Sequence, residues 1–441
     1  MKQWELRAAF AARMATVYGR EVPAYETLVE VSHEVNEFVA TRAAQSDAAA
    51  LRLGSLARVT AERHGAIRVG TPTELRQVAS IFGALGMHAV GFYDLRDASK
   101  SSVPVVATAF RPVEAEELER NPFRMFASLL VTDDRRFFSA DLQRRLDTFL
   151  ARRELFPPEL LTLAASADDG LSDVDAEQFL KLAVDAFTLS HEPVDAAWYA
   201  ELEAVSSVAA DIGGVASTHI NHLTPRVLDI DELYARMSAR GIEMIDAIQG
   251  PPKWDGPDVL LRQTSFRALA EPRRFRTESG EVVDGDLRVR FGEVEARGLA
   301  LTPEGRYAYD ALIGRDAAVW SAGLPHTELG FLREGLAYFT FAPTGRPVVR
   351  AGTLAEQVFD GVLTASPVVY EDFLPRSAAG IFQSNLAGAG TRDDAATGTE
   401  RDAAWLSGVI GRPVADPFEL YAAQQAASVA ALPEHIRTAL R

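Results

Sequence analysis

Over the first sixty positions apolar residues recur near helical spacing, with Leu28, Val29, Val35 and Phe38 set against a mixed-charge face, which predicts helix to about residue 60. Beyond that point the pattern shortens. RHGAIRV reads as a strand, and GTPTELRQVASIFGALG as a helix capped by Thr71 or Thr73 and stopped near Gly86. AVGFYDL (89–95), VPVVATAF (103–110) and FRMFASLLVTD (123–133) are strand candidates. Helical spacing returns over 140–210, interrupted by FPPELL at 156–161 and DDGLSDVD at 168–175. The acidic turn lacks the glycine and closing glutamate of a calcium loop and reads as a solvated helix start. From 215 the strand–helix texture resumes with VASTHINHLTPRV and DIDELYARMSARG, then the strand candidates VLLRQTSF (259–266) and LRVRFGEVEARG (287–298). Residues 300–400 read as turns and short strands, with an exposed loop at 387–400 and a last helix from about 416.

One pattern occurs twice. His64-GAIRVGTPTELRQVASIFG lies on His222-LTPRVLDIDELYARMSARG without gaps, matching His64 with His222, Arg68 with Arg226, Val69 with Val227, Glu74-Leu75 with Glu232-Leu233, and Gly83 with Gly241. Each copy is a strand running into a helix. Residues four apart on a strand share a face, so His64 and Arg68 look into one space, as do His222 and Arg226 until Pro225 bends the path. His219, three before His222, falls on the other face, so the repeat selects His222. Each imidazole alone fits a core histidine bonded to a carbonyl; two at equivalent positions point to a shared site. A divalent metal held by two neutral imidazoles calls for a carboxylate as third ligand. Glu293 and Glu295 share a strand face with Val289 and Phe291, where a carboxylate binds a metal, pairs with Arg288, Arg290 or Arg297, or sits at an edge open to solvent. Gly292 marks a bulge or a close backbone approach beside them.

Composition narrows the chemistry. The 441 residues suffice for two or three compact units, and 47% hydrophobic with 24% charged residues excludes a largely disordered chain. A net charge of −17 argues against nucleic-acid and anionic-membrane partners, and an acidic substrate would need local arginines. The absence of cysteine removes disulfides, zinc–thiolate and iron–sulfur sites and a thiol nucleophile, so a metal must sit on His, Asp or Glu. No apolar run reaches about eighteen residues, so no membrane-spanning helix is expected. The Arg- and Ala-rich start has Glu5 and no unbroken apolar core, which excludes a secretory signal and makes a cytoplasmic protein the expectation. The chain has no P-loop or nucleophile elbow, and GAG at 388–390 lacks the setting of a dinucleotide site.

The His-led strand, Asp-Ile-Asp cap and Gly-terminated helix resemble the modules of the vicinal-oxygen-chelate superfamily. More specifically, ERHGAIR (62–68), HINHLTPRVLDID (219–231), GPP (250–252), LLRQTSF (260–266), RFGEVEARGLALTPEG (290–305), GLAYF (335–339) and YEDFLPRSAAGIFQSNL (370–386) resemble the 2-oxoadipate dioxygenase/decarboxylase family, also called D-2-hydroxyglutarate synthases. The resemblance spans about 60–390. It implies an α+β fold in which two βαβββ modules form an incomplete barrel around a metal, with added helices. The corresponding division is an N-terminal helical segment (1–60), a first module (61–140), a helical insertion (141–212), a second module (213–300), and a region of completing strands, substrate-binding segment and C-terminal helix (301–441). The resemblance further implies an Fe(II) enzyme of lysine catabolism that takes 2-oxoadipate and O2 to (R)-2-hydroxyglutarate and CO2. His64, His222 and Glu293 would then be the metal ligands, with Glu295 the alternative carboxylate. Arg68 would hold a substrate carboxylate, and Arg376 and Ser377 would complete substrate binding; the family has a small apolar residue where Arg376 stands. The alternatives are a non-oxidative isomerase, lyase or hydrolase of the same superfamily acting on a small carboxylic acid, and a ligand-binding protein whose histidines are structural.

Overall fold

The computed structural model describes residues 1–45, 56–98, 103–268, 270–287, 290–375 and 390–441. Strand β1 (Arg63–Val69) shows how alternation builds the fold: Ile67 and Val69 join one core cluster, and Ala66 joins the opposite one. The helix Pro72–Ala84 follows directly. Thr71 Oγ1 accepts from the Glu74 amide, the Glu74 carboxylate accepts from the Thr71 amide, and Pro72 opens the first turn. Gly86, at φ +68°, reverses the chain into β2 (His88–Asp94), which pairs antiparallel with β3 (Val105–Arg111). β3 pairs in turn with β4 (Arg124–Leu130), and β4 returns parallel to β1.

A second module repeats this plan. After the two-residue β5 (Val194–Asp195), β6 (His222–Pro225) leads into the helix Ile230–Ala239, capped by Asp229, and then β7 (Leu261–Ser265). The hairpin of β8 (Glu271–Arg276) and β9 (Val282–Leu287) is inserted before β10 (Glu293–Arg297), which pairs antiparallel with β7. Bridges Met244↔Phe266 and Gln249↔Gln263 set residues 244–249 beside β7, and the bridge Arg226↔Glu295 sets β10 parallel to β6. β6 also pairs antiparallel with β1. The lanes therefore run β2-β3-β4-β1-β6-β10-β7 as a curved, incomplete barrel.

The seam obeys the sequence repeat. His64 lies opposite Thr224 and Ala66 opposite His222. Laying His64 on His222 also lays Ala66 on Thr224, so each pair is the image of the other about Gly65↔Leu223. At Gly65 a Cβ would stand 2.7 Å from Met125 Sδ and 2.9 Å from Ile220 Cδ1, so those side-chain ends would have to shift to admit one.

The convex side carries the largest core. The N-terminal helices Gln3–Glu21 and Pro23–Gln45 bring Leu6, Phe10, Met14, Leu28, Val31 and Val35 against Ile67, Val69, Met125 and Leu129. On the concave side the helices Ala140–Leu150 and Ser207–Gly213 pack Leu146 and Ile212 with Ala66, Phe126 and Phe291. The C-terminal part forms a third cluster around Trp320, Tyr309 and Phe339, with the antiparallel pair β11 (Phe339–Pro343) and β12 (Leu363–Pro367).

Two expectations are corrected. LRVRFGEVEARG is not one strand, since β9 ends at Leu287 and β10 begins at Glu293. Gly292 stands immediately before β10, and a Cβ there would meet the Phe266 ring at 1.9 Å. The span 300–400 is also richer in helix than its pattern suggests, with Pro303–Leu312, Ala317–Gly323, Glu328–Arg333 and Leu354–Phe359. Thr302, Asp316, Thr327 and Thr353 cap them, and three of the four are only six or seven residues long, fewer than two turns, which leaves too few positions for a helical repeat to show.

Candidate metal centre

Alternation sorts the central strands into an apolar convex face and a polar concave one. Val294 and Ala296 of β10 enter the convex core with Leu223 of β6. Glu293, Glu295 and Arg297 turn the other way, as do His222 and Thr224, and His64 and Arg68 of β1. All of these polar side chains are buried. Buried polar groups persist when bonded, paired or bound to a metal, so this concentration marks a site.

Among the described residues, one ligand atom each from His64, His222 and Glu293 forms a group within 4.8 Å of one another. Nε2 of His64 lies 3.2 Å from Oε1 of Glu293, and the two imidazoles stand edge to face with centroids 5.3 Å apart. Nδ1 of His222 is 3.0 Å from Thr224 Oγ1, which leaves Nε2 for a metal. Burial, with His64 and Arg68 nearby, holds the His222 pKa down to about 4 against the pull of Glu293, so its imidazole is neutral at pH 7 and offers a lone pair. Gln263 Nε2 donates to Glu293 Oε1 at 2.6 Å and fixes that carboxylate.

The donor set fits a divalent metal. Both nitrogens of His64 are buried without an aligned hydrogen bond, although carboxylate oxygens of Glu293 and Glu295 lie at ion-pair distance. A ring nitrogen aimed at two other donors with no hydrogen bond of its own is what a ligand position requires. Two imidazoles and one carboxylate on a single face leave coordination positions open, as in non-haem iron oxygenases.

The structure separates the two candidate carboxylates. Glu295 Oε2 approaches the other ring nitrogen of His64, Nδ1, at 3.1 Å. Its oxygens also accept both arms of Arg297, Nε at 2.7 Å and Nη2 at 2.8 Å. Burial raises its pKa, but Arg297, His64 and Arg124 outweigh that and hold it well below the carboxylate range. Glu295 thus stands behind His64, the usual place for a carboxylate that orients a metal-bound imidazole.

Arg226, the repeat partner of Arg68, does not enter the centre. Its Nη1 donates to Glu62 Oε2 at 2.8 Å, and Arg124 Nη2 donates to Glu62 Oε1 at 2.7 Å. Burial pushes Glu62 up, yet Arg226, Arg124, Arg58 and Arg297 bring it to about 2. Arg297 Nη1 also donates to the carbonyls of Tyr370 and Asp372, at 2.9 Å each, and the Phe373 ring packs edge-on against His64 at 4.9 Å. This anchors the chain entering the predicted substrate segment, but Arg376 and Ser377 themselves lie outside the described residues. Arg68 is within: its Nη1 donates to Asp211 Oδ2. His219 is excluded from the ligand group and sits beside the same aspartate, 3.4 Å from Oδ1. His219 precedes β6, which begins at His222, so strand alternation does not govern its direction, and against expectation it meets the same aspartate as concave-facing Arg68.

Sequence reasoning missed Glu62, Gln263 and Asp211. Glu62 had a signal, two residues before His64 on the strand's approach. Gln263 and Asp211 had none, because their partners come from β10 and β1, far away in the chain.

The fold and this centre define a protein of two paired βαβββ modules, with a two-histidine, one-carboxylate group in the concavity that could hold a metal ion. Comparison with known proteins specifies the family. A sequence model of the 2-oxoadipate dioxygenase/decarboxylase family matches residues 10–385, and the chain belongs to that family. It is 56% identical over 421 residues, 95% of both chains, to the 2-oxoadipate dioxygenase/decarboxylase of Mycobacterium bovis. It is 38% identical over 454 residues to that of Pseudomonas putida, covering 97% of this chain and 96% of the relative. The crystal structure of the Pseudomonas putida hydroxyglutarate synthase in complex with 2-oxoadipate matches with a TM-score of 0.83 at 36% identity, over 99% of both chains. Among the described residues no helix is long and apolar enough to cross a membrane.

Proposed function

We propose that this protein is an Fe(II)-dependent, cytoplasmic 2-oxoadipate dioxygenase/decarboxylase of lysine catabolism, converting 2-oxoadipate and O2 to (R)-2-hydroxyglutarate and CO2. The observation that carries this reading is the buried ligand group of His64, His222 and Glu293. Family membership and the naming of its relatives support it. The equation balances without a further reductant: both atoms of O2 appear in the products, so no second oxo acid is consumed.

Fe(II) held by the three residues would supply O2 activation and a Lewis-acidic anchor for the 2-oxo acid. The chain's own residues do the remainder. Glu295 orients His64 from behind, and Gln263 holds Glu293. Arg68 binds a substrate carboxylate, a task suited to a planar fork of donors. Arg376 and Ser377 complete the substrate site. Phe126, Phe291 and Phe373 line the centre with apolar surface: Phe291 stacks on His222, and Phe373 packs on His64 and Phe126, which keeps water from the site.

The test is oxygen uptake with simultaneous CO2 release by protein loaded anaerobically with Fe(II), given 2-oxoadipate, with His64→Ala as control. Coupled consumption of the two, lost in the variant, is expected. A metal-loaded protein that takes up no O2 with 2-oxoadipate or its homologues overturns the oxygenase reading in favour of a non-oxidative metalloenzyme.

A further inference from the structure

The helical insertion between the modules delivers one carboxylate to the concave face. Asp211, on the helix Ser207–Gly213, is 5% exposed and is surrounded by groups from three parts of the chain. Its Oδ2 accepts from Arg68 Nη1 on β1 and from Asn221 Nδ2, at 2.9 Å, just before β6. Its Oδ1 lies 3.4 Å from His219 Nε2, and that nitrogen is 3.2 Å from Asn221 Nδ2. Burial opposes ionisation of Asp211, but His219 and Arg68 outweigh it and the carboxyl stays charged.

The placement of Arg68 gives this contact meaning. His64, Ala66 and Arg68 are successive concave-facing residues of β1, and Ala66 lies opposite His222. Arg68 is thus one inward step, about 7 Å of strand, beyond the two histidines. A substrate anchored at the metal group by one end meets Arg68 with its other polar end. A free arginine side chain would have to be ordered by that substrate, at a cost in rotamer freedom. Asp211 removes most of that loss by holding the guanidinium before the substrate arrives.

We propose that Asp211 is a positioning residue for substrate: through its hydrogen bond to Arg68 it fixes the plane of the guanidinium facing the metal group and so sets the affinity for the dicarboxylic acid. This rests on the reading of Arg68 as the carboxylate-binding residue. It also gives the insertion at 141–212, which the metal chemistry leaves unexplained, a task in the site.

The experiment is a double-mutant cycle on Fe(II)-loaded enzyme, comparing Asp211→Ala, Arg68→Ala and the pair, with Asp211→Asn as the milder variant should the alanine fail to fold. KM and kcat for 2-oxoadipate and iron stoichiometry are measured for each. Asp211→Ala is expected to raise KM about tenfold with kcat changed less than about threefold, Asp211→Asn to raise it less, and iron content to stay at the wild-type level. The double variant is expected to be no worse than Arg68→Ala alone, because the aspartate acts through the arginine. If Arg68→Ala raises KM while neither Asp211 variant does, or if the effects add, the proposal falls and the role of Arg68 stands. If Arg68→Ala leaves KM unchanged, the role of Arg68 falls first and takes the proposal with it.

Discussion

Nε2 of His64 and Oε1 of Glu293 stand 3.2 Å apart although β6 runs between their strands. In a flat sheet, strands two lanes apart are separated by about 9.6 Å. The two side chains reach toward each other across the intervening lane, on the face to which His222 of that lane also turns. The ligand group therefore depends on the order of the three strands as much as on its residue types.

Glu293 and Glu295 should separate cleanly on mutation. Glu293→Gln is expected to abolish stoichiometric iron binding. Glu295→Gln keeps the ligands but loses the carboxylate behind His64, and its metal affinity is expected to fall about 10- to 100-fold. Metal titration with Co(II) or Fe(II) under anaerobic conditions measures both, and equal losses in the two variants would contradict these roles.

Metal addition should stabilise the folded chain. A ligand that binds only the native state adds about 2.7 kcal/mol at a hundredfold excess over Kd. The Tm of chelator-treated wild type is expected to rise on adding Fe(II) or Co(II), and that of Glu293→Gln to stay put. A rise of equal size in the variant would place the stabilising metal elsewhere.

Glu62 should govern part of the acid sensitivity. Its folded pKa of about 2 lies below the ordinary glutamate value of 4.5. The unfolded state therefore binds the proton more readily, and the contribution of Glu62 is full at neutral pH and lost as pH falls from 4.5 toward about 2. Glu62→Gln takes the carboxylate partner from buried Arg226, while Arg124 keeps Glu371, and a loss of about 3–5 kcal/mol is expected at pH 7. Urea denaturation of both proteins between neutral and acid pH should show the gap narrowing with acid; a constant gap would contradict the assignment.

Gly292 should not tolerate a side chain. The 1.9 Å approach of its would-be Cβ to the Phe266 ring forces β10 or the ring to move. Gly292→Ala is expected to lower stability by about 1–3 kcal/mol and to weaken metal binding, because Glu293 is the next residue. Thermal melting and metal titration test this, and a variant normal in both would show that the break absorbs a methyl group.

The sequence by itself determined the modules and the residue types of the centre. Alternation in RHGAIRV, the Thr71 cap and the repeat of His64 on His222 are local or pattern-level facts, and physical rules for strands and helices read them directly. The repeat even anticipates the seam, since two antiparallel copies pair as images of each other about Gly65↔Leu223. Residue pattern left Glu293 and Glu295 equivalent, because two positions on one strand face are equivalent until a partner differs. Tertiary structure made the difference by turning Glu293 to Nε2 of His64 and Glu295 to Nδ1 and Arg297. It likewise sent Arg226 to Glu62 and Arg68 to Asp211, although the repeat treats the two arginines alike. Local propensity carries no information about which distant carboxylate meets a given cation; the curvature of the sheet and the docking of helices on its two faces decide that.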